Sequence, residues 1–177
     1  MREPDVTVDS VDTEVTIAPE PLGSEAERLL WRAYYTEVSD RWYVKETGQP
    51  TPPDELERGI AEEDGEGLRP PDGVLLVARS GGEPLGMAGV RRLDAETCEL
   101  TRVFLLPAAR GKGVAAALMG AVEEAARERG ARRLVLDTRL DLIEARRLYT
   151  KHGYVEIPAY NSGPYSEIWY GKELPAN

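Results

Sequence analysis

The sequence predicts an α/β (α+β-like) fold, with a mixed, mostly antiparallel central sheet of six to seven strands flanked by about four helices. Two observations carry this prediction. Three extended apolar segments, separated only by short turns, fill residues 74–106, which is typical of antiparallel strands. Strands and helical stripes then alternate to the end of the chain, which favours a mixed sheet with helices on both faces.

Composition and charge limit the possible functions. The 177 residues are 41% hydrophobic and 31% charged, with a net charge of −10. Nucleic-acid binding needs a basic face, so we expect no nucleic-acid partner. An acidic surface would attract a cationic amine, although solubility explains the charge equally well. No apolar run reaches the ~18 residues of a membrane span, so we expect no membrane partner.

Targeting signals and cysteine content are consistent with a cytoplasmic protein. Residues 1–20 are acidic and contain no signal-peptide core, and Cys98 is the only cysteine, which excludes an intrachain disulfide. Nothing divides the chain internally. We therefore expect one domain over residues 13–174, preceded by a flexible acidic tail at 1–12 and followed by a short tail at 175–177.

Hydrophobic periodicity and turn residues place each element in order. Ser24 and Glu27 form a capping box at the start of the first helix, Gly81 and Gly82 form a hairpin turn, and Gly130 ends the third helix. Residues 62–73 are rich in glycine, proline and acidic side chains and predict a loop. The predicted strands cover 13–18, 74–79, 84–93, 97–106, 134–137, 154–157 and 166–172, and the helices cover 24–45, a short segment from 52, 111–129 and 141–151.

The stretch from Arg110 to Ala115 lies between a predicted strand and a predicted helix. A glycine turn there exposes backbone N–H groups and the positive end of a helix dipole, which together bind anions such as a pyrophosphate. A P-loop is excluded, because no Ser or Thr follows Gly111-Lys112. A dinucleotide fingerprint is excluded as well, because its third glycine and a second βαβ half are missing.

Arg110, Gly113 and Ala115 fit the spacing Arg-x-x-Gly-x-Gly/Ala, which resembles the acyl-CoA signature of the GNAT superfamily of N-acetyltransferases. Residues 145–154 resemble the second signature of that family, Ala-x-x-Leu-Tyr-x-x-x-Gly-Phe/Tyr. The two occur in the family's order, and the resemblance covers roughly Thr13 to Leu174. It implies a GNAT-type sheet and transfer of an acetyl group from acetyl-CoA to an amine, with no metal.

The resemblance also implies where acetyl-CoA binds. The strand before the turn bulges in this family and pairs with the pantetheine arm through its backbone. Many relatives contact pantetheine with an Asn three residues before the signature alanine; this chain has Leu142 there, with Asp141 beside it. The candidate cofactor-binding residues are Val103, Phe104, Leu105, Arg110, Gly111, Lys112, Gly113, Val114, Ala115 and Asp141.

Two side chains are candidates for proton transfer. Glu99 lies where several family members place a catalytic glutamate, and it shares a strand face with Thr101 and Val103 if no bulge intervenes. Tyr149 occupies the tyrosine of the second signature and would protonate the leaving thiolate. Glu37 and Asp40 are rivals of Glu99 that could instead bind a substrate ammonium. An exposed strand glutamate and a packed aromatic remain the structural alternatives.

Acceptor binding is predicted for Tyr34, Glu37, Tyr160, Asn161 and Tyr165, although a rigid turn with aromatic packing explains the last three equally well. His152, the only histidine, is expected to cap a helix. The predicted function is N-acetylation of a primary amine, most simply a small molecule, by direct attack in a ternary complex. Acetylation of a protein lysine or N-terminus and a non-catalytic acyl-CoA-binding module are the alternatives. The resemblance is consistent with a homodimer.

Overall fold

A computed structural model describes residues 14–176, and the predicted tail at 1–12 lies outside this range. The described chain forms one seven-stranded sheet in the order β1-β2-β3-β4-β5-β7-β6. The strands are β1 Val15–Pro19, β2 Gly73–Ser80, β3 Glu83–Arg92, β4 Thr97–Leu105, β5 Arg133–Thr138, β6 Val155–Glu156 and β7 Ile168–Glu173, and the helices are α1 Glu25–Thr47, α2 Pro53–Glu62, α3 Val114–Glu128 and α4 Ile143–Lys151.

Strands β2 to β4 form an antiparallel meander, as the short turns between them predict, and β1 pairs antiparallel with β2 after the chain has passed through α1 and α2. The connection through α3 then makes β5 parallel to β4, and β7 pairs antiparallel with both β5 and β6. The predicted α/β (α+β-like) class, the predominance of antiparallel pairs and the four helices are all confirmed.

Helices cover both faces of the sheet and bury two separate cores. One core joins α3 and α4 to one face through Leu118, Val122 and Tyr149. The other joins α1 to the opposite face, where Leu30 and Trp31 pack on the sheet. The continuous burial along β2 explains both cores, since every residue from Gly73 to Ala78 is buried and successive side chains point to opposite faces.

Two local differences from the predicted elements have simple causes. Helix α1 extends to Thr47, because Gly48 adopts a left-handed conformation (φ 76°) and its N–H caps the carbonyl of Val44. The predicted loop at 62–73 contains a 3-10 turn, Glu66–Leu68, and Leu68 is buried in the α1 core. Half of the predicted capping box is present: Ser24 Oγ accepts from the Glu27 N–H at 3.0 Å, whereas the Glu27 carboxylate accepts from the N–H of Gly23 and not from that of Ser24.

Strand β4 contains the irregularity on which the site depends. Thr101 pairs with Gly89 and Phe104 pairs with Met87, so Arg102 and Val103 together face Ala88 in a β-bulge. Arg102 is the only non-glycine among residues 14–176 with a positive φ, at 53°. Leu100 and Val103 both pack in the α3 core, three positions apart. The bulge that the resemblance implies is therefore present, and Val103 does not share a face with Glu99, which was predicted only for a strand without a bulge.

A buried ion pair holds this bulge in place. The Arg102 guanidinium lies 3.9 Å from the centre of the Trp31 ring, and its Nη1 lies 3.2 Å from Glu27 Oε1. Both charged side chains are less than 10% exposed. The bulge in β4 is thus tied to the first turn of α1 by a charge pair whose separation would leave a buried charge uncompensated.

Candidate active site

The strands β4 and β5 diverge and open a cleft in the sheet. They pair only from Thr97 to Glu99, so from Leu100 onward the β5-facing edge of β4 has no partner strand. A cavity of about 770 Å³ fills the gap and is lined by residues 100–105, by the turn at Arg110 and Gly111, and by α4. We call this cavity the donor cleft. Val103, Phe104 and Leu105 lie on this free strand edge, and their backbone pairing with a cofactor stays a prediction.

The turn at the end of the donor cleft carries a set of free backbone donors. The amides of residues 111–116 donate no hydrogen bond to any atom of residues 14–176, and α3 has no side-chain cap at its N-terminus. Helix α3 therefore begins with its positive dipole end and six orphan N–H groups in one place. Each charge-assisted bond to a phosphate contributes about 1.5–3 kcal/mol. This geometry fits a diphosphate without a metal.

Backbone conformation explains the two glycines of this turn. Gly111 and Gly113 have φ values of 75° and 80°, in the left-handed region that residues with a Cβ adopt only at a cost. No other protein atom lies within 4 Å of a Cβ built at either position. The glycines are thus needed for the direction of the chain, and the space in front of them is open to a ligand.

Two ion pairs join α1 to the donor side at the mouth of the cleft. Arg110 Nη2 lies 2.9 Å from both carboxylate oxygens of Glu37, and Arg110 also donates to the carbonyl of Leu105. Arg41 pairs with Glu144 on α4 at 3.0 Å. The predicted acceptor residue Glu37 therefore lies beside the donor cleft and contacts a predicted cofactor residue.

Tyr149 lies on α4 among aromatic neighbours and reaches the donor cleft. Its ring packs against Tyr154 and Tyr170, and its hydroxyl has no hydrogen-bond partner among the described residues. Burial raises the pKa of Tyr149 well above that of a free phenol, and the neighbouring phenols of Tyr34 and Tyr154 and the carboxylate of Asp137 add to the shift. The phenol therefore keeps its proton and is available as a donor inside the cleft.

A second cavity, of about 410 Å³, lies between α1, α2 and the end of β5. We call it the aromatic cavity. Five of its six aromatic residues come from α1 at helical spacing, and the sixth comes from the segment before β7. They are Trp31, Tyr34, Tyr35, Trp42, Tyr43 and Tyr165. The predicted acceptor residues Tyr34 and Tyr165 both line this cavity.

The two cavities share a boundary at the end of β5. Tyr34, Val38, Asp137, Thr138 and Leu142 line both of them. Asp137 is the only acidic residue in that shared set. A group bound in the aromatic cavity would therefore meet a group bound in the donor cleft beside this carboxylate.

Glu99, the predicted base, is buried, and both of its carboxylate oxygens accept hydrogen bonds from other side chains. Arg91 donates to Glu99 Oε1 from Nε at 2.8 Å and from Nη2 at 2.7 Å, and Tyr160 donates its hydroxyl to Glu99 Oε2 at 2.8 Å. Glu99 lines neither cavity. Its role as the base stays a prediction, and the observed contacts show that an amine could reach it only if Tyr160 moved or a water intervened.

The segment before β7 folds over the sheet through side-chain hydrogen bonds. Asn161 Nδ2 donates to Asp137 Oδ2 at 2.7 Å, and Trp169 Nε1 donates to Asn161 Oδ1 at 2.8 Å. Tyr160 and Asn161 therefore contact protein carboxylates and line neither cavity, which fits the rigid-turn alternative. Sequence reasoning did not single out Asp137, although an acidic residue that ends the apolar run Leu134–Leu136 is a detectable signal.

Two further predicted residues have structural partners. Arg139 binds both oxygens of Asp141 at 2.8 Å, and this contact lowers the pKa of the Asp141 carboxyl. Leu142, not Asp141, lines the donor cleft, so a cofactor contact by Asp141 stays a prediction. Asp40 accepts the N–H of Thr51 at 2.9 Å and lines neither cavity. His152 occupies the C-cap of α4, as predicted.

Two features are absent from residues 14–176. No helix there is both long and apolar enough to cross a membrane. No three His, Cys, Asp or Glu side chains in that range are grouped so that they could hold a metal ion.

The fold and the site thus combine an open mixed sheet that splays with a helix N-terminus that presents free amides. Residues 25–154 match the family model described as Acetyltransferase (GNAT) family, and the chain therefore belongs to this family. The resemblance inferred from the two signatures is confirmed.

Similar proteins agree with this assignment. The chain is 38% identical over 90 residues to an uncharacterized N-acetyltransferase, YjgM, of Escherichia coli; the match covers 49% of this chain and 54% of YjgM, so the chain spans about half the length of this relative. A putative acyl-CoA N-acyltransferase from Klebsiella pneumoniae has the same fold, with a TM-score of 0.68 at 24% identity over 90% of this chain and 97% of that one.

A third similar protein was crystallised with a ligand. The PaiA N-acetyltransferase of Thermoplasma acidophilum, solved in complex with coenzyme A, superposes with a TM-score of 0.68 at 15% identity, covering 90% of this chain and 99% of that one. At this identity the likeness establishes the common fold.

Proposed function

We propose that this protein transfers the acetyl group of acetyl-CoA to a primary amine of a small molecule, by direct attack in a ternary complex. The observation that carries the proposal is the row of free amides at 111–116 beside the free edge of β4. The first suits a diphosphate, and the second suits an extended amide-containing arm that adds to the sheet as a strand. The coenzyme A in the Thermoplasma protein supports the same assignment here.

Acetyl-CoA supplies a thioester whose carbonyl carbon accepts the amine nitrogen and whose sulfur leaves. The chain's own groups hold it: amides of residues 111–116 bind the phosphates, and the edge of β4 from Val103 to Leu105 binds the arm. The bulge at Arg102 turns backbone groups of β4 toward the cleft, where an N–H can polarise a carbonyl oxygen.

Asp137 is the carboxylate we propose for contact with the amine. It lies on the boundary between the cavities, and Asn161 occupies only its Oδ2. The negative charge of the Asp137 carboxylate attracts an incoming ammonium. The carboxylate then accepts the proton that the nitrogen must lose before attack. Tyr149 supplies the proton for the departing sulfur. Amine and acetyl-CoA thus give the amide, free CoA and the proton of the original ammonium.

Two cavities that meet favour direct attack, because donor and acceptor can be bound together and no nucleophilic cysteine is required. Cys98 is buried in the sheet and lines neither cavity. The volume of about 410 Å³ suits a small acceptor. A cytoplasmic location and a homodimer stay predictions.

A thiol-release assay tests the proposal. Purified protein with acetyl-CoA and a panel of small amines should release free CoA only when an amine is present, and the product amide should appear by mass spectrometry. Release with lysine-containing or N-terminal peptides but with no small amine would favour a protein acceptor. Tight CoA binding without release on any amine would establish a non-catalytic binding module instead.

A further inference from the structure

The aromatic cavity contains charges that are not all balanced by the protein. Two cationic side chains line it, and both are already paired: Arg139 with Asp141, and Arg58 with Glu62 at 3.9 Å. Two carboxylates in its wall, Glu55 and Asp137, have no arginine or lysine partner within residues 14–176. The cavity thus holds two negative charges that a ligand could neutralise.

The two carboxylates occupy different ends of the site. Asp137 lies at the boundary with the donor cleft, whereas Glu55 lines the aromatic cavity alone. Glu55 is in the first turn of α2 and accepts a hydrogen bond from the hydroxyl of Tyr43, which orients it. Tyr43 and Trp42 stack edge to face in the same wall. A carboxylate beside aromatic faces is a favourable environment for an organic cation.

We infer that the aromatic cavity binds a small amine that carries a second cationic group, a diamine in its simplest form. This inference rests on the proposed function. One nitrogen lies beside Asp137 and is acetylated; the other remains charged and binds Glu55 and the aromatic rings. The apolar chain between them packs against Tyr34 and Trp31, whose ring faces offer contact without competing hydrogen bonds.

The test compares diaminoalkanes with alkylamines of the same chain length, using kcat/KM from thiol release. Since a hydrogen bond to a charged group changes affinity about tenfold to a hundredfold, the wild-type protein should favour the diamine by that ratio. Glu55→Gln keeps the shape and the Tyr43 contact but removes the charge, so the ratio should fall toward one. Glu57→Gln, on the same helix but paired with Arg32 outside both cavities, is the matched control and should keep the ratio.

A binding measurement separates this inference from the proposed function. Trp31 and Trp42 line the cavity, so a diamine should change tryptophan fluorescence saturably in the wild type and much less in Glu55→Gln. If monoamines are acetylated as well as diamines, and Glu55→Gln does not change the ratio of their kcat/KM values, the inference is overturned. The proposed transferase function would still stand. Absence of thiol release with every amine would overturn both.

Discussion

The donor cleft and the aromatic cavity are built from different parts of the chain. The donor cleft presents backbone: six free amides at 111–116 and the open edge of β4. The aromatic cavity presents side chains, most of them from α1. A backbone site depends on conformation, which a few glycines and a bulge determine. A side-chain site depends on which charges are left without partners. The first can be formed by many sequences, whereas the second depends on the identity of each side chain.

Changing the backbone of the turn should have the largest effect. Gly113→Val forces a β-branched residue to a φ of 80° and blocks the free amides. Loss of two charge-assisted hydrogen bonds, each about 1.5–3 kcal/mol, predicts at least a hundredfold weaker binding of CoA by calorimetry. Gly48→Val, with a similar φ of 76° and equally open surroundings, is the control for strain alone. Equal CoA affinities in the two variants would refute the diphosphate assignment.

Replacing Asp137, at the boundary of the two cavities, should lower the reaction rate and leave the binding of CoA unchanged. Asp137→Asn can keep the hydrogen bond to Asn161 but removes the charge and the basic oxygen. Loss of a general base lowers rates by about 10²–10⁴, and we expect that drop in kcat/KM for amines with unchanged CoA affinity. The parallel variant Glu99→Gln distinguishes the two carboxylates. If kcat/KM falls further in Glu99→Gln than in Asp137→Asn, Glu99 is the base.

Breaking the buried ion pair between Arg102 on β4 and Glu27 on α1 should reduce the free energy of unfolding. Arg102→Met leaves Glu27 buried without its partner, and separating a buried pair costs about 3–5 kcal/mol. The free energy of unfolding in urea should fall by the lower part of that range, because the methionine still packs on Trp31. Arg32→Met, which breaks the exposed pair with Glu57, should hardly move the midpoint. Equal midpoints for the two variants would contradict the structural role of Arg102.

Tyr149 is the side chain of the donor cleft that we expect to protonate the leaving sulfur. Tyr149→Phe keeps the packing against Tyr154 and Tyr170 and removes only the hydroxyl. Turnover should fall about a hundredfold, the lower end for loss of a general acid, because water can partly replace it. CoA affinity should stay within a factor of about three, since the hydroxyl bears no hydrogen bond in the described structure. Full activity would remove Tyr149 from the mechanism.

The smallest effect should be a pH dependence of stability that arises from the Arg139–Asp141 pair. Arg139 lowers the folded-state pKa of Asp141, so the contact stabilises the protein above the ordinary carboxyl pKa of about 4, and the stabilisation is lost as the pH falls through the lowered value. Asp141→Asn should therefore reduce the Tm by a few degrees at neutral pH and by less near pH 3, because the contribution in the wild type has faded there. A constant difference across this range would show that the charge is unimportant.

Local chemistry in the sequence predicted much of the fold. Periodicity, the Ser24 capping box and the Gly81-Gly82 turn located the elements, and the glycines at 111 and 113 located the anion-binding turn. These features depend on neighbours along the chain, so a short stretch contains all the information. Strand order and the bulge at Arg102 were less accessible, because they depend on pairing with β3 and on the buried contact with Glu27.

The sequence alone determined the succession of strands and helices along the chain, the glycine turn before α3 and the family's two signatures, but not the order of the strands within the sheet. Tertiary structure decided the partners of the acidic side chains: Glu99 binds Arg91, Glu37 binds Arg110, and Asp137 remains at the boundary of two cavities. The physical reason is range. A turn or cap is stabilised by residues a few positions apart, whereas a carboxylate binds whichever cation the folded chain brings within about 3 Å, however distant in sequence.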